Sequence, residues 1–388
     1  MRIDVVGVAG AGTMGAGIAQ LGCLGGYETR LWDPAPDALA GGAERLRADL
    51  LRGAERGRWS AAEAEAAAPR LASTASLEGL AACDLVIEAA PEDLALKREL
   101  FAGLEAVCEP GAVLATNTSS LSVSEIAAQA AHPERICGMH FFNPPALMTL
   151  VEVIAGEATG EPALVAATAA AERMGRTAVR CADSPGFIVN RCNRPFTLES
   201  LRILEQGIAS HDQIDRVVRE DGGYRMGPFE LMDLIGIDVN LEVARSFYRQ
   251  RPEPRWQPHP IQERMVAEGR LGRKTDRGFY AYRDGRRDQP PGAGEIGDEV
   301  RRVVLERVIA QLVNEACFAA DEGVAEPADI DSAMRLGLNH PRGPFEWAHE
   351  IGAERIEAIL DALGGDTDQR YRVAPLLRRL SRSDHLAS

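Results

Sequence analysis

The 388-residue chain reads as an α/β protein: a doubly wound sheet followed by two tandem all-helical domains. Three observations predict this. A strand–loop–helix–strand unit with a glycine-rich loop opens the chain. Short apolar runs then alternate with helical stretches as far as residue 183, and a set of identical residues recurs at one fixed offset in the remainder. Ile3 to Val8 is a β-branched run that predicts a buried strand. It feeds into Gly10-Ala11-Gly12-Thr13-Met14-Gly15, and Ala16 to Leu21 then reads as helix. A second strand, Glu28 to Trp32, ends on Asp33, 18 residues past Gly15. That order and spacing suit a Rossmann-type dinucleotide-binding unit. Gly10 makes the tight turn, Gly12 admits a pyrophosphate to the backbone, and Gly15 lets helix and strand pack closely. The helix N-terminus offers free N–H groups to phosphate, and Asp33 can accept both hydroxyls of an adenosine ribose. A glycine-rich turn in some other α/β protein would give Asp33 no reason to stand there. Pro34-Ala35-Pro36 supplies no base for a 2′-phosphate, so the expected cofactor is NAD rather than NADP.

The length suggests two or three domains. A formal charge of −15 argues against nucleic acid or an anionic membrane surface as main partner. Seven cysteines, odd in number and without a Cys-x-x-Cys pair, suit small buried residues in a reducing compartment. No apolar run approaches the length of a membrane span, and the first strand begins at once, leaving no room for a signal peptide. The expectation is a soluble cytoplasmic protein. No cluster of histidine, cysteine and carboxylate has ligand spacing, so no metal is expected.

Pro36 to Leu71 reads as a helical hairpin broken near Gly57 to Ser60. Its arginines 45, 47, 52, 56 and 58 form either a solvated face or a landing place for substrate phosphates, with Arg52 and Arg56 as candidates. Asp84 to Ala89 is a buried strand, followed by helix from Glu92 to Cys108 with acids in its first turn. Ala112 to Thr116 is the next strand, and Ser122 with Glu125 forms a capping box for the helix after it. Asn117 to Ser120 is left unexplained by capping, at a strand end where such sheets bind ligands. Ile136 to Phe142 carries His140, and Leu150 to Ile154 carries Glu152, with Asn143-Pro144-Pro145 between them. Two prolines halt pairing and force a reversal. Centred on Ala146, that reversal makes His140 and Glu152 cross-strand neighbours. A histidine held by a carboxylate is a general base with its tautomer fixed; the alternative is a core histidine making one hydrogen bond.

Helix from Glu161 to Met174 and strand from Thr177 to Cys181 lead to a border at Asp183-Ser184-Pro185-Gly186. Beyond it Gly207, Ile214, Asp215, Gly227, Pro228, Phe229, Glu230, Ile235 and Gly236 recur identically 116 residues later, from Gly323 to Gly352. One register for so many identities signals duplication. The expected domains are 1–183, 184–284 and 299–388, with 285–298 as a linker rich in Gly, Pro and charge.

Gly-Ala-Gly-Thr-Met-Gly at 10–15, Asn-Thr-Ser-Ser at 117–120, His-Phe-Phe-Asn-Pro at 140–144, Pro-Gly-Phe-Ile-Val-Asn-Arg at 185–191 and Gly-Arg-Lys-Thr…Gly-Phe-Tyr at 272–280 together resemble the L-3-hydroxyacyl-CoA dehydrogenase family. The likeness covers nearly the whole chain. It implies NAD-linked oxidation of a (3S)-3-hydroxyacyl-CoA, with an acyl-CoA as substrate, His140 as base and Glu152 as its partner. By the same resemblance Ser119 and Asn190 hydrogen-bond the reacting oxygen, while Glu92, Lys97, Asn143 and Lys274 line the cofactor site. Arg191 to Leu204 and the duplicated tail look like the subgroup that includes 3-hydroxyadipyl-CoA dehydrogenases of phenylacetate metabolism. Ala9 and Cys192-Asn193 depart from the family's usual residues. Arg194, four residues past Asn190 and so on the same helical face, is a candidate for a distal substrate carboxylate, the alternative being a solvent-exposed arginine.

Asn190 maps at the 116-residue offset onto Glu306, so the second copy has lost the amide and is expected to be structural. Single-copy relatives dimerise through this helical domain, which implies an internal pseudo-dimer here, with a homodimer through another surface left open. Three rivals stand beside this reading. A lysine-base hydroxyacid dehydrogenase has only Lys97 and Lys274 to draw on, and the intact His-Phe-Phe-Asn-Pro points away from a sugar-acid dehydrogenase of the lens-crystallin kind. A catalytically silent nucleotide-binding protein would not need His140, Glu152, Ser119 and Asn190 together.

Overall fold

The opening apolar run folds as β1 (Val5–Ala9), inside an eight-stranded sheet of order β3-β2-β1-β4-β5-β6-β7-β8. In this computed structural model, residues 2–288, 292, 294–365 and 367–387 are described, and the chain divides into two units, Met1–Phe187 and Ile188–Ser388. The other strands of the first unit are β2 (Glu28–Trp32), β3 (Leu71–Thr74), β4 (Leu85–Glu88), β5 (Val113–Thr116), β6 (Ile136–Phe141), β7 (Leu150–Ala155) and β8 (Thr177–Ala182). Strands β1 to β6 are parallel, each neighbour to the next. The chain winds from β1 out to β3 and then crosses back to β4, so a crevice opens at the C-terminal ends of β1 and β4.

Six helices cover the two faces, as a parallel sheet buried on both sides requires. Helices α1 (Thr13–Leu24), α2 (Pro36–Glu55), α3 (Ala61–Ala67) and α6 (Glu161–Arg173) share one apolar cluster, with Ile18, Leu46 and Ala167 at its centre. Helices α4 (Leu94–Val107) and α5 (Val123–Ala127) bury Phe101, Leu104 and Ile126 on the other face.

The connection after β6 is too short for a crossover, so β7 returns antiparallel. Its register pairs Gly138 with Ile154, His140 with Glu152 and Phe141 with Val151, a reversal centred on Ala146 as expected. Three local readings change. Strand β3 was not anticipated, because Leu-Ala-Ser-Thr at a half-exposed sheet edge carries no apolar pattern. Helix α4 starts at Leu94, not Glu92, since Asp93 caps it by accepting from Leu96 N at 2.8 Å. Only half of the capping box at Ser122 forms, with its hydroxyl accepting from Glu125 N at 3.1 Å.

The second unit is helical. Its first half holds α7 (Val189–Cys192), α8 (Arg194–Glu205), α9 (His211–Glu220), α10 (Pro228–Ile235), α11 (Ile237–Gln250) and α12 (Pro260–Ala267). Its second half holds α13 (Asp298–Asp321), α14 (Pro327–Leu338), α15 (Pro344–Ile351), α16 (Ala353–Gly364) and α17 (Pro375–Ala387). Helices α10 and α15 start and end at matching residues at the 116-residue offset. The repeated residues explain themselves physically. Asp215 accepts from Phe229 N and Glu230 N at 2.9 and 3.0 Å, and Asp331 does the same for Phe345 N and Glu346 N at 2.8 and 3.2 Å. A Cβ at Gly227 or Gly343 would stand 2.3 Å from the aspartate oxygen, so each copy needs glycine there.

From Arg307 to Ala319 helix α13 is buried on every side. Val304, Val308 and Leu312 join the core of the first copy, while Ile309, Val313 and Cys317 join that of the second. Contacts between the copies are exchanged. Arg191 Nε donates to Glu315 at 2.9 Å, and its 116-residue counterpart Arg307 donates to Glu199 at 2.8 Å. Arg191 also meets Glu322 at 3.0 Å, as Arg307 meets Gln206 at 2.6 Å. Tyr224 and its counterpart His340 pack edge to face on each other, 4.9 Å apart. The expected linker is partly structured: Arg286 and Arg287 pair with Tyr282 and Arg283, and Arg287 bonds Asp212 at 2.7 Å. Residues 289–291 and 293 of that linker lie outside the described residues.

Burial pushes the His340 imidazole down to about 3, so it stays neutral in the folded protein. The unfolded chain binds a proton there below about pH 6.5, and stability is therefore lost as pH falls from that value toward 3. His340→Phe should remove this dependence. In urea titrations at stepped pH, wild type should lose about 1.4 kcal/mol more than the variant per pH unit below 6.5. Parallel losses would contradict a neutral buried imidazole.

Candidate active site

The glycine loop is held from several directions. Gly10 has φ 115° and donates its N–H to Trp32 O at 2.8 Å, and a Cβ on it would lie 2.7 Å from Ala89 O. A Cβ on Gly15 would lie 1.8 Å from Gly10 O. Gly12 is different: a Cβ there would meet nothing within 4 Å, so its bare backbone faces open space. Thr13, Met14 and Gly15 form the first turn of α1. Asp33 fixes the loop, one carboxylate oxygen accepting from Ala11 N at 2.8 Å and the other from Ala35 N at 2.9 Å. Each oxygen keeps a lone pair for a ligand hydroxyl. A cleft of about 920 Å³ lies against Gly10, Gly12, Thr13, Met14, Asp33, Trp32 and Leu96, and its charged lining residues are two acids, Asp33 and Glu99. These residues fit a dinucleotide that lacks a 2′-phosphate.

Beside the cleft runs a buried chain of charges. Glu88, fully buried at the end of β4, accepts from Lys97 Nζ and Thr116 Oγ1 at 2.6 Å each. Lys97 also lies 3.4 Å from Glu92. Glu92, left outside α4, accepts from Thr118 Oγ1 at 2.6 Å, Ser119 N at 3.0 Å and Ser120 N at 3.1 Å. Burial alone would raise the Glu92 carboxyl, but these donors and Lys97 hold it below the usual range. Glu92 thus organises the 117–120 stretch that capping did not explain. Lys97 is 1% exposed, and its ammonium lies 2.6 Å from Glu88 and 3.4 Å from Glu92. Glu88 was missed. Its signal was an acid ending a wholly apolar strand, which must find a buried partner.

Asn117, at the end of β5, accepts from Phe141 N at 2.8 Å through its side chain and so ties β5 to β6 beside His140. His140 Nδ1 lies 2.6 Å from Glu152 Oε2, and Glu152 is fully buried. With Nδ1 engaged, Nε2 is the nitrogen left for chemistry. Phe142 and Phe187 flank the ring at 4.4 and 5.9 Å, screening it from water. Ser119 and Asn143 are exposed on the same unit. Arg52 is exposed on α2, where it pairs with Asp49, and Arg56 is exposed at the C-terminal cap of that helix.

The remaining candidates lie in the second unit. Asn190 sits half-buried in α7. Lys274 pairs with Asp238 at 2.6 Å. Arg194 is 5% exposed, which overturns the solvent-exposed alternative. It reaches only Asn240 O at 3.3 Å and Thr197 Oγ1 at 3.4 Å, and burial lowers it to about 10.

Comparison with known proteins places these features. The 3-hydroxyacyl-CoA dehydrogenase NAD-binding domain matches residues 5–184, and that family's C-terminal domain matches twice, at 186–282 and 303–388. The chain is 35% identical to the 3-hydroxyadipyl-CoA dehydrogenase of Escherichia coli, across 98% of each chain. It is 40% identical to a probable 3-hydroxybutyryl-CoA dehydrogenase of Bacillus subtilis, over 73% of this chain and 99% of that one. A crystal structure of Escherichia coli 3-hydroxybutyryl-CoA dehydrogenase superposes with a TM-score of 0.93 at 33% identity, covering all of both chains.

The two glycines separate folding from binding. Gly12→Ala should leave the melting temperature unchanged yet weaken NADH about tenfold or more, since the added methyl occupies only ligand space. Gly15→Ala should lower the melting temperature as well, because its methyl meets backbone. Fluorescence titration of NADH with thermal melts checks both; unchanged NADH affinity in Gly12→Ala would place the cofactor elsewhere.

Proposed function

This chain belongs to the 3-hydroxyacyl-CoA dehydrogenase family and is an NAD-dependent oxidoreductase of 3-hydroxyacyl-CoA, and we propose that His140 is its base. The observation that carries this is the 2.6 Å bond between His140 and the fully buried Glu152. His140 takes the proton of the substrate's 3-hydroxyl at Nε2 while Nδ1–H stays donated to Glu152. The fixed carboxylate stabilises the imidazolium that forms. NAD, when bound, supplies the acceptor for the hydride that leaves C3. Gly10 to Gly15 and Asp33 would hold it, with Glu92, Asn143 and Lys274 in its surroundings. Ser119 and Asn190 are assigned as donors to the substrate oxygen, where one such donor is worth roughly 10²–10³ in rate.

Two finer readings have specific support. Exchanged pairs are the mark of an isologous contact, so the helical copies read as an internal pseudo-dimer, supported by Arg191–Glu315 with Arg307–Glu199. Among the described residues no carboxylate pairs with Arg194, although it is buried and charged at neutral pH. An uncompensated buried cation is costly, and a carboxylate-ended acyl chain would supply its counter-charge. This favours a dicarboxylyl substrate, in line with the 3-hydroxyadipyl-CoA dehydrogenase relative. Seven buried cysteines without a Cys-x-x-Cys pair favour a reducing, cytoplasmic setting.

The test follows NADH consumption with acetoacetyl-CoA and a 3-keto-dicarboxylyl-CoA. NADH should exceed NADPH in kcat/KM by about 10²-fold or more. Arg194→Met should cost the dicarboxylyl substrate about 10²-fold and acetoacetyl-CoA little. No turnover of either thioester would sink the functional reading, and equal losses would remove Arg194 from recognition.

A further inference from the structure

We infer that Glu315, carried by the second helical copy, is the positioning residue that holds the active-site amide of the first. The inference rests on the assignment of Asn190 above. Asn190 lies in α7, a helix of four residues with no side-chain cap. One turn of helix does not hold itself in place, and it breaks at Asn193 before α8, whose Pro195 has no N–H to bond back to Arg191. A buried anchor is the next residue. Arg191 is fully buried; Nε donates to Glu315 Oε1 at 2.9 Å, and Nη2 meets Glu322 at 3.0 Å. The other oxygen of Glu315 accepts from Arg255 Nε at 2.7 Å and Trp256 Nε1 at 3.0 Å. The Arg191 guanidinium stands 5.2 Å from the Trp256 ring. Both acids that grip Arg191 belong to the second copy's α13 and the turn after it, and Arg191 shares a peptide bond with Asn190.

The duplication supplies its own control. Glu199 is the 116-residue counterpart of Glu315, equally buried, and it accepts from Arg307 Nε at 2.8 Å. Tyr371, counterpart of Arg255, places its hydroxyl 3.4 Å from the same carboxylate. The residue before Arg307 is Glu306, bonded on the surface to Arg302 and Arg355, each at 3.1 Å. The two buried pairs are alike in packing, and only one of them adjoins a residue with a catalytic assignment.

Glu315→Gln and Glu199→Gln should therefore lower the melting temperature by similar amounts. Glu315→Gln alone should lower kcat, by about 10- to 100-fold as expected for a displaced reacting group, with NADH affinity unchanged. Glu315→Asp and Glu199→Asp, which keep the charge and shorten the reach, give the same comparison if the amides do not fold. Equal kcat losses in the two variants, or wild-type kcat in Glu315→Gln, would overturn the inference. Asn190→Ala, measured beside them, separates the two levels. A slow Asn190→Ala with an active Glu315→Gln overturns the positioning role alone, while a fully active Asn190→Ala removes the assignment on which it rests.

Discussion

The bond between His140 and Glu152 exists because the sheet changes direction at one place. Six parallel strands would leave a histidine on β6 facing another strand's parallel register. The Asn-Pro-Pro stretch instead turns the chain straight back, and β7 sets Glu152 opposite His140. A carboxylate buried this completely cannot remain charged without a strong donor. The imidazole N–H is such a donor, and its 2.6 Å bond to Glu152 orients His140. Asn117 fixes the neighbouring strand by accepting from Phe141 N, and the ring is thereby located from both sides.

The same logic governs the other buried acids. Glu88 is satisfied by Lys97 and Thr116, Glu199 by Arg307, and Glu315 by Arg191, Arg255 and Trp256. Breaking such a pair costs far more than forming it gains, because the survivor is left charged in a dry interior. They therefore act as registration points more than as sources of stability. Glu88 and Lys97 register the strand ends near the cofactor cleft. Glu315 and Glu199 register one helical copy on the other.

Much of this was legible in the residues, for physical reasons that differ by element. The glycine loop declares itself because backbone geometry leaves Gly10 and Gly15 no alternative, and the hairpin register follows from two prolines and the two-residue period of a strand. Other features were hidden. Strand β3 has no apolar signature. The burial of Lys97 was hidden because it depends on Glu88 and Glu92 converging on it in space. Arg191 with Arg307, and Glu199 with Glu315, stand at the repeat's own offset. They passed unremarked because their exchange across the copies is visible only once α7 and α8 lie beside α13.

The account stands or falls on whether Glu152 acts through His140. Glu152→Gln keeps the volume and a hydrogen bond but removes the charge and can bind the wrong tautomer. The decisive measurement is its kcat for acetoacetyl-CoA reduction beside its NADH affinity. The prediction is a fall in kcat of roughly 10²–10⁴ with cofactor affinity intact. A kcat within about threefold of wild type would show that His140 needs no fixed carboxylate, and would contradict the account.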